Sequence, residues 1–220
     1  MPAKASRKCR ERGRPRAPQV IVKVIIPGSN DLKAIAQHLH DLQHGHDRTL
    51  ETDFFRTPVV GAEGIAELID DWSLELDEII CRYYGFWGFT PRAKPSKLVH
   101  KIVFSMPAGT PPAKLMAAVR DFAEAQFAPK HRYALALHTD DRHPHVHAVV
   151  KAISEAGDRL HIRKATLRAW RQGFARHLRR HGVDCLATRG SARGDIAKRL
   201  KGLHRPVSPP ERSRSSSLAA

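Results

Sequence analysis

The chain has 220 residues, 41% of them hydrophobic, and carries 38 Lys+Arg against 22 Asp+Glu for a formal charge of +16 with histidine neutral. That length suits one domain with tails, and the charge exceeds what solubility needs and points to a polyanionic partner. No apolar run reaches about 18 residues, which excludes a membrane span. The cationic start MPAKASRKCRERGRPRAP leads into no secretory apolar segment, and Cys9, Cys81 and Cys185 are too few and too scattered for a disulfide framework or a cysteine zinc site, as expected in a reducing cytoplasm.

In chain order, residues 1–18 read as a disordered basic arm, with a net charge of +6 over 1–16 and no apolar periodicity. Gln19–Ile26 (QVIVKVII) is β-branched and stops at Pro27-Gly28, the pattern of a strand. Ser29, Asn30 or Asp31 can cap a helix running to about His44, with Leu32, Ile35, Leu39 and Leu42 at helical spacing. The stretch 47–80 is acidic, with a net charge of −8. Within it Gly61–Cys81 reads as one amphipathic helix, lined by Ile65, Leu68, Ile69, Trp72, Leu76 and Ile79.

After the aromatic stretch YYGFWGF (83–89), Val99–Met106 reads as a strand ended by Pro107, and Pro112–Phe127 as a helix. Tyr133–His138 and His145–Ile153 read as two strands around a polar hairpin, and Thr166–His181 as a last helix with Gly182 just past its end. The expected fold class is α+β, a central antiparallel sheet packed by helices in two or three layers, with disordered basic termini. The single folded domain is expected over 19–190 and a Pro/Ser/Arg-rich tail over 191–220.

The most informative segment is His138-Thr-Asp140-Asp-Arg-His143-Pro-His145-Val-His147. Alternate side chains of a strand share a face, so His145 and His147 project together while Val146 turns to the core. A hairpin folds His138 back toward that pair. Three imidazoles from two neighbouring strands make a ligand set for a divalent metal with positions left open. Asp140 and His143, in the turn, stand where a ligand is oriented or a proton moved.

These residues resemble the third motif of conjugative relaxases, the nicking enzymes of plasmid mobilisation. The closest likeness is to the mobilisation and T-DNA border-nicking type of His-hydrophobic-His endonuclease, whose motif runs H-x-D-x-x-H-P-H-x-H. Weaker similarity runs through QVIVKVIIPG, HKIVFSMPAGT, RYALALH and LRRHGVDCLATRG, about residues 19–190 in all. The resemblance implies that His138, His145 and His147 hold one Mg²⁺ or Mn²⁺ that polarises the scissile phosphate of single-stranded DNA. It implies a tyrosine that attacks and stays joined to the 5′-phosphate, with Asp140 and His143 orienting the site or handling the proton. The implied partners are single-stranded DNA at an origin of transfer, accessory mobilisation proteins and a secretion coupling protein, in a bacterial cytoplasm.

The sequence departs from this pattern in the helix after the first strand. In Leu39-His40-Asp41-Leu42, Asp41 stands where the family places tyrosine, and no tyrosine precedes Tyr83. His40 is an adjacent candidate nucleophile, though one residue on a helix is a rotation of about 100°. Asp41 could instead activate water. Tyr83 and Tyr84 read either as a relocated nucleophile or as an aromatic mini-core, and Tyr133, an odd number of residues before His138, belongs to the opposite face of its strand. Residues 158–205 carry a net charge of +11, and Arg168, Arg171, Arg176, Arg179 and Arg180 are the candidate DNA contacts. Three functions compete: a metal-dependent nicking enzyme of mobilisation, a DNA-binding accessory on the same fold without nicking activity, and a structural metal-binding domain whose charge serves RNA or ribosome association.

Overall fold

The β-branched run near the start forms β1 (Ile21–Ile25), and Asp31 starts the next element by accepting the Ala34 N–H on its Oδ2 at 3.0 Å. The computed structural model describes residues 17–25, 30–43, 50–53, 58–79 and 97–187. The basic arm up to Arg16, YYGFWGF with Tyr83 and Tyr84, and the tail from 188 onward lie outside the described residues. In order, β1 is followed by α1 (Leu32–Gln43), β2 (Leu50–Thr52), β3 (Pro58–Val59), α2 (Gly61–Asp71), α3 (described over 74–79), β4 (Val99–Ser105), α4 (Pro112–Gln126), β5 (Tyr133–His138), β6 (His145–Lys151) and α5 (Lys164–Arg180).

The six strands form one sheet in the order β1-β4-β6-β5-β2-β3, and every pairing is antiparallel. Strand alternation sorts its residues onto two helical layers. Ile102, Phe104, Tyr133, Leu135, Val146, Ala148 and Val150 face α4 and α5, whose Leu115, Val119, Phe122, Trp170, Phe174 and Leu178 complete that core. On the other side Val99, Ala134, Ala136 and Val149 meet Ile35, Leu39 and Leu42 of α1 together with Ile65, Leu68, Trp72 and Leu74 of α2 and α3. The expected α+β sandwich therefore has three layers.

The structure corrects one expected element. The helix read as continuous over Gly61–Cys81 breaks at Trp72 and Ser73. Ser73 has φ 50°, and its N–H bonds to the Asp70 carbonyl at 2.7 Å. The break has a packing cause. Residues two apart on one helix point about 200° away from each other, yet Trp72 and Leu74 are both fully buried. Ending the helix between them lets both enter the core, and it turns Leu76 and Ile79, expected on the buried stripe, out to 57% and 62% exposure.

The acidic segment is tied down by cations from the sheet and α4. Arg120 forks onto Glu51 with contacts of 2.7 to 2.9 Å, Arg132 bonds Asp53 at 2.9 Å and also Asp71, and the buried Lys151 stands 3.6 Å from Asp77. At the far side of the sheet, the edge of β1 is closed by Arg171, which donates to the Val22 carbonyl. Reciprocal backbone bonds join Val20 and Pro18 to Leu186.

Candidate metal centre

The hairpin β5–β6 brings the three predicted ligands together. His138 and His145 are directly opposed in the ladder, and His147 follows two residues along the same face, opposite Ala136. All three are at least nine-tenths buried, and their ring centroids lie 4.8 to 5.2 Å apart. One nitrogen from each falls within 4.8 Å of the others. Nitrogens sharing an ion at about 2.1 Å stand roughly 3 to 3.5 Å apart, so the set is within small ring rotations of the spacing a shared ion would need.

The remaining ring nitrogens fit that use. His138 Nε2 is 3.2 Å from the Leu42 carbonyl, and His145 Nδ1 is 3.0 Å from the His143 carbonyl. A carbonyl only accepts, so each of these nitrogens carries the proton and donates, leaving the other nitrogen of each ring with a lone pair for a metal. The donor set is three neutral imidazoles with no carboxylate. A divalent ion held there keeps its full charge for an anionic ligand.

The turn residues divide in role. Asp140 is exposed at the hairpin tip, whereas His143 is half-buried and accepts the Ala108 N–H on Nδ1 at 3.0 Å. His143 thereby pins the loop after β4 to the hairpin, and its own carbonyl orients His145. Pro144 strengthens the same joint by accepting the Met106 N–H at 3.2 Å.

Helix α1 shows what the sequence could not. Asp41 is exposed, and its Oδ1 accepts from Gln37 Nε2 at 2.8 Å. It also lies beside Lys101 of β4, whose ammonium burial pushes below the usual lysine value while the Asp41 charge acts the other way. The residue that α1 brings to the histidine cluster is His38, whose ring centroid is 6.4 Å from that of His147. The sequence reading passed over it. The signal was available: His38 is three residues after Ile35 and four before Leu42, on the flank of the buried stripe. His40 is half-buried on the far side of that stripe from His38, some 160° round the helix.

Tyr133 lies on the α4–α5 side, packed 6.2 Å from Phe127, so no described tyrosine shares the face of the histidines. The α5 arginines belong to that opposite side as well. Arg171 and Arg179 are bonded to the carbonyls of Val22 and Cys185, while Arg168, Arg176 and Arg180 are exposed.

Among the described residues no helix is long and apolar enough to cross a membrane. No curated protein and no solved structure matches the chain. Residues 89–183 match the family model described as "Relaxase: MobA/VirD2-like, nuclease domain". The match takes in β4 through α5, hence the whole histidine cluster, and leaves out β1 and α1. This segment, with its three converging histidines on one face of an antiparallel sheet, is similar to the nuclease domain of the relaxase family over somewhat less than half of the chain.

Proposed function

We propose that the protein is a metal-dependent endonuclease that nicks single-stranded DNA at an origin of transfer during mobilisation of a plasmid or related element. The observation that carries this reading is the set of three histidine nitrogens within 4.8 Å on one sheet face, inside the relaxase-matching segment. His138, His145 and His147 would hold Mg²⁺ or Mn²⁺, and such an ion supplies positive charge to the phosphoryl oxygens as in-line attack proceeds. Leu42 and His143 fix the ring orientations through their carbonyls, Asp140 and His143 in the turn would orient the site or handle the nucleophile's proton, and His38 stands on the α1 side of the cluster. The exposed α5 arginines form a second basic face that draws DNA to the molecule before the strand is engaged. Accessory mobilisation proteins and a coupling protein of the secretion apparatus are the partners such a role brings with it, in a bacterial cytoplasm.

A second reading, a DNA-binding accessory that no longer nicks, is favoured by one observation: Asp41, in the place of the family's tyrosine, is exposed and bonded to Gln37. One experiment separates the two. Labelled single-stranded oligonucleotides tiled across the genetic neighbourhood are incubated with the protein in Mn²⁺ or in EDTA. Cleavage in Mn²⁺ alone, abolished by His145→Ala, is the expected result. A mass increment on one peptide would identify a covalent nucleophile, and cleavage with no adduct would assign the attack to water. Binding without cleavage at every oligonucleotide would establish the accessory reading instead.

A further inference from the structure

The register of the sheet fixes which side chains share the face of the histidines. Lys23 of β1 is opposite Val103 of β4, which is opposite His147 of β6. One step along, Ile25 is opposite Lys101, which is opposite Val149. Directly opposed residues lie on the same face, so Lys23, Lys101 and His147 all do. Two strand spacings of about 4.8 Å each place the Lys23 backbone about 10 Å from that of His147. The flexible four-carbon stem of lysine covers much of that gap. Lys23 and Lys101 are diagonal neighbours, roughly 7–8 Å apart at the backbone.

The β1 side of this strip stands outside the apolar cluster under α1, α2 and α3, which takes residues from β2, β4, β5 and β6 and none from β1. Lys23 is exposed, Lys101 is half-buried with Asp41 beside it, and Val103, opposite Lys23, is buried beneath its neighbours. The α5 arginines project from the other side of the sheet and cannot share a single strand seated on this one.

We propose that Lys23 and Lys101 hold backbone phosphates of a DNA single strand, which leaves the histidine centre across β4 and β1. The inference rests on the reading of that centre as the place where the scissile phosphate sits. Phosphate contacts by lysine carry no base information, so the strip sets position and affinity while sequence is read elsewhere.

The test is the salt dependence of binding to a labelled single-stranded oligonucleotide of about ten nucleotides, measured in EDTA so that no cleavage intervenes. Each phosphate contact to a single strand adds about 0.7 to the slope of log K against log salt. Lys23→Gln and Lys101→Met should each flatten the slope by about 0.7, the double variant by about 1.4, and Lys101→Arg should restore it. Lys130→Gln, exposed just before β5 at the opposite end of the hairpin from the histidines, should leave the slope unchanged, and Arg168→Ala with Arg176→Ala on α5 is measured in parallel.

An unchanged slope in the lysine variants overturns the proposal, and so does a loss confined to the α5 pair. Lysine on an edge strand also blocks strand pairing between molecules. A Lys23→Gln protein that binds DNA normally but self-associates would assign Lys23 to that role and overturn the proposal. Wild-type cleavage in Mn²⁺ with unchanged lysine slopes sinks the strip alone, whereas a wild type that neither binds nor cleaves sinks the centre with it.

Discussion

His138, His145 and His147 were legible as a set because two physical rules applied to one short segment. Strand alternation put His145 and His147 on one face, and hairpin closure put His138 opposite them. The position of Asp41 was legible too, but its surroundings were not. Whether a helical side chain reaches a site depends on the rotation of its helix, and here that rotation is set by Ile35, Leu39 and Leu42. It carries His38 toward His147 and leaves Asp41 beside Gln37 and Lys101. This separates two substitutions on one turn. His38→Ala should lower metal-dependent cleavage by about 10- to 100-fold, equivalent to about 1.4–2.7 kcal/mol of transition-state stabilisation, while stoichiometric Mn²⁺ binding is retained. Asp41→Asn should leave the rate within about twofold. Single-turnover kinetics alongside metal analysis of the purified variants checks both. The reverse ranking would assign attack to a water activated by Asp41.

The long elements were readable from periodicity alone. β5 begins and ends where its alternation predicts, at Tyr133 and His138, and Gly182 takes the left-handed φ of +71° expected just past the last helix. The failures have local causes. β2 and β3 span three and two residues, too short for any periodicity to register, and they exist because β5 offers an edge to pair with. The break at Ser73 follows from the burial of Trp72 and Leu74 together, which no helical period contains. Close approach of elements is equally invisible in sequence. At Gly173 of α5 an added Cβ would stand 2.9 Å from the ring of Phe122 on α4. That ring cannot easily withdraw, since Phe104, Phe127 and His177 surround it at centroid distances of 5.3 to 6.2 Å. Gly173→Val should therefore cost about 2 kcal/mol or more through overpacking, despite removing a flexible glycine from a helix. Urea unfolding of the two proteins measures it, and equal midpoints would show that α4 and α5 can move apart.

Across the whole molecule, charge and histidine are each divided between two jobs. The acidic segment that offsets the basic total is held by Arg120, Arg132 and Lys151, while Lys23 of β1 is exposed and Lys101 of β4 has Asp41 beside it. Histidines are likewise divided: three cluster on β5 and β6, while His100, His131 and His177 are packed elsewhere, where burial disfavours their charged form. His100, on the α4–α5 side of β4, is the clearest of these. It is 9% exposed, its Nε2 lies 3.0 Å from the Leu160 carbonyl, and its Nδ1 finds no hydrogen-bond partner. Burial pushes it down from 6.5 to about 4, and the nearby Lys97 and Arg159 add to the shift. The sign of the linkage follows from which state takes the proton first. Above about pH 6.5 both folded and unfolded chains hold this imidazole neutral, and it contributes no pH dependence. As the pH falls from 6.5 toward 4 the unfolded chain is protonated and the folded one is not, so stability is lost through that window and levels off below it. At 1.36 kcal/mol per pKa unit the loss from His100 alone approaches about 3 kcal/mol. Denaturant unfolding of wild type and His100→Gln, in EDTA at pH 7 and pH 4.5, isolates it because every other titrating group is common to both. The wild type should lose about 2–3 kcal/mol more than the variant on acidification. Equal losses would mean that His100 accepts a proton in the folded state, and that the far end of the sheet opens to water before the chain unfolds.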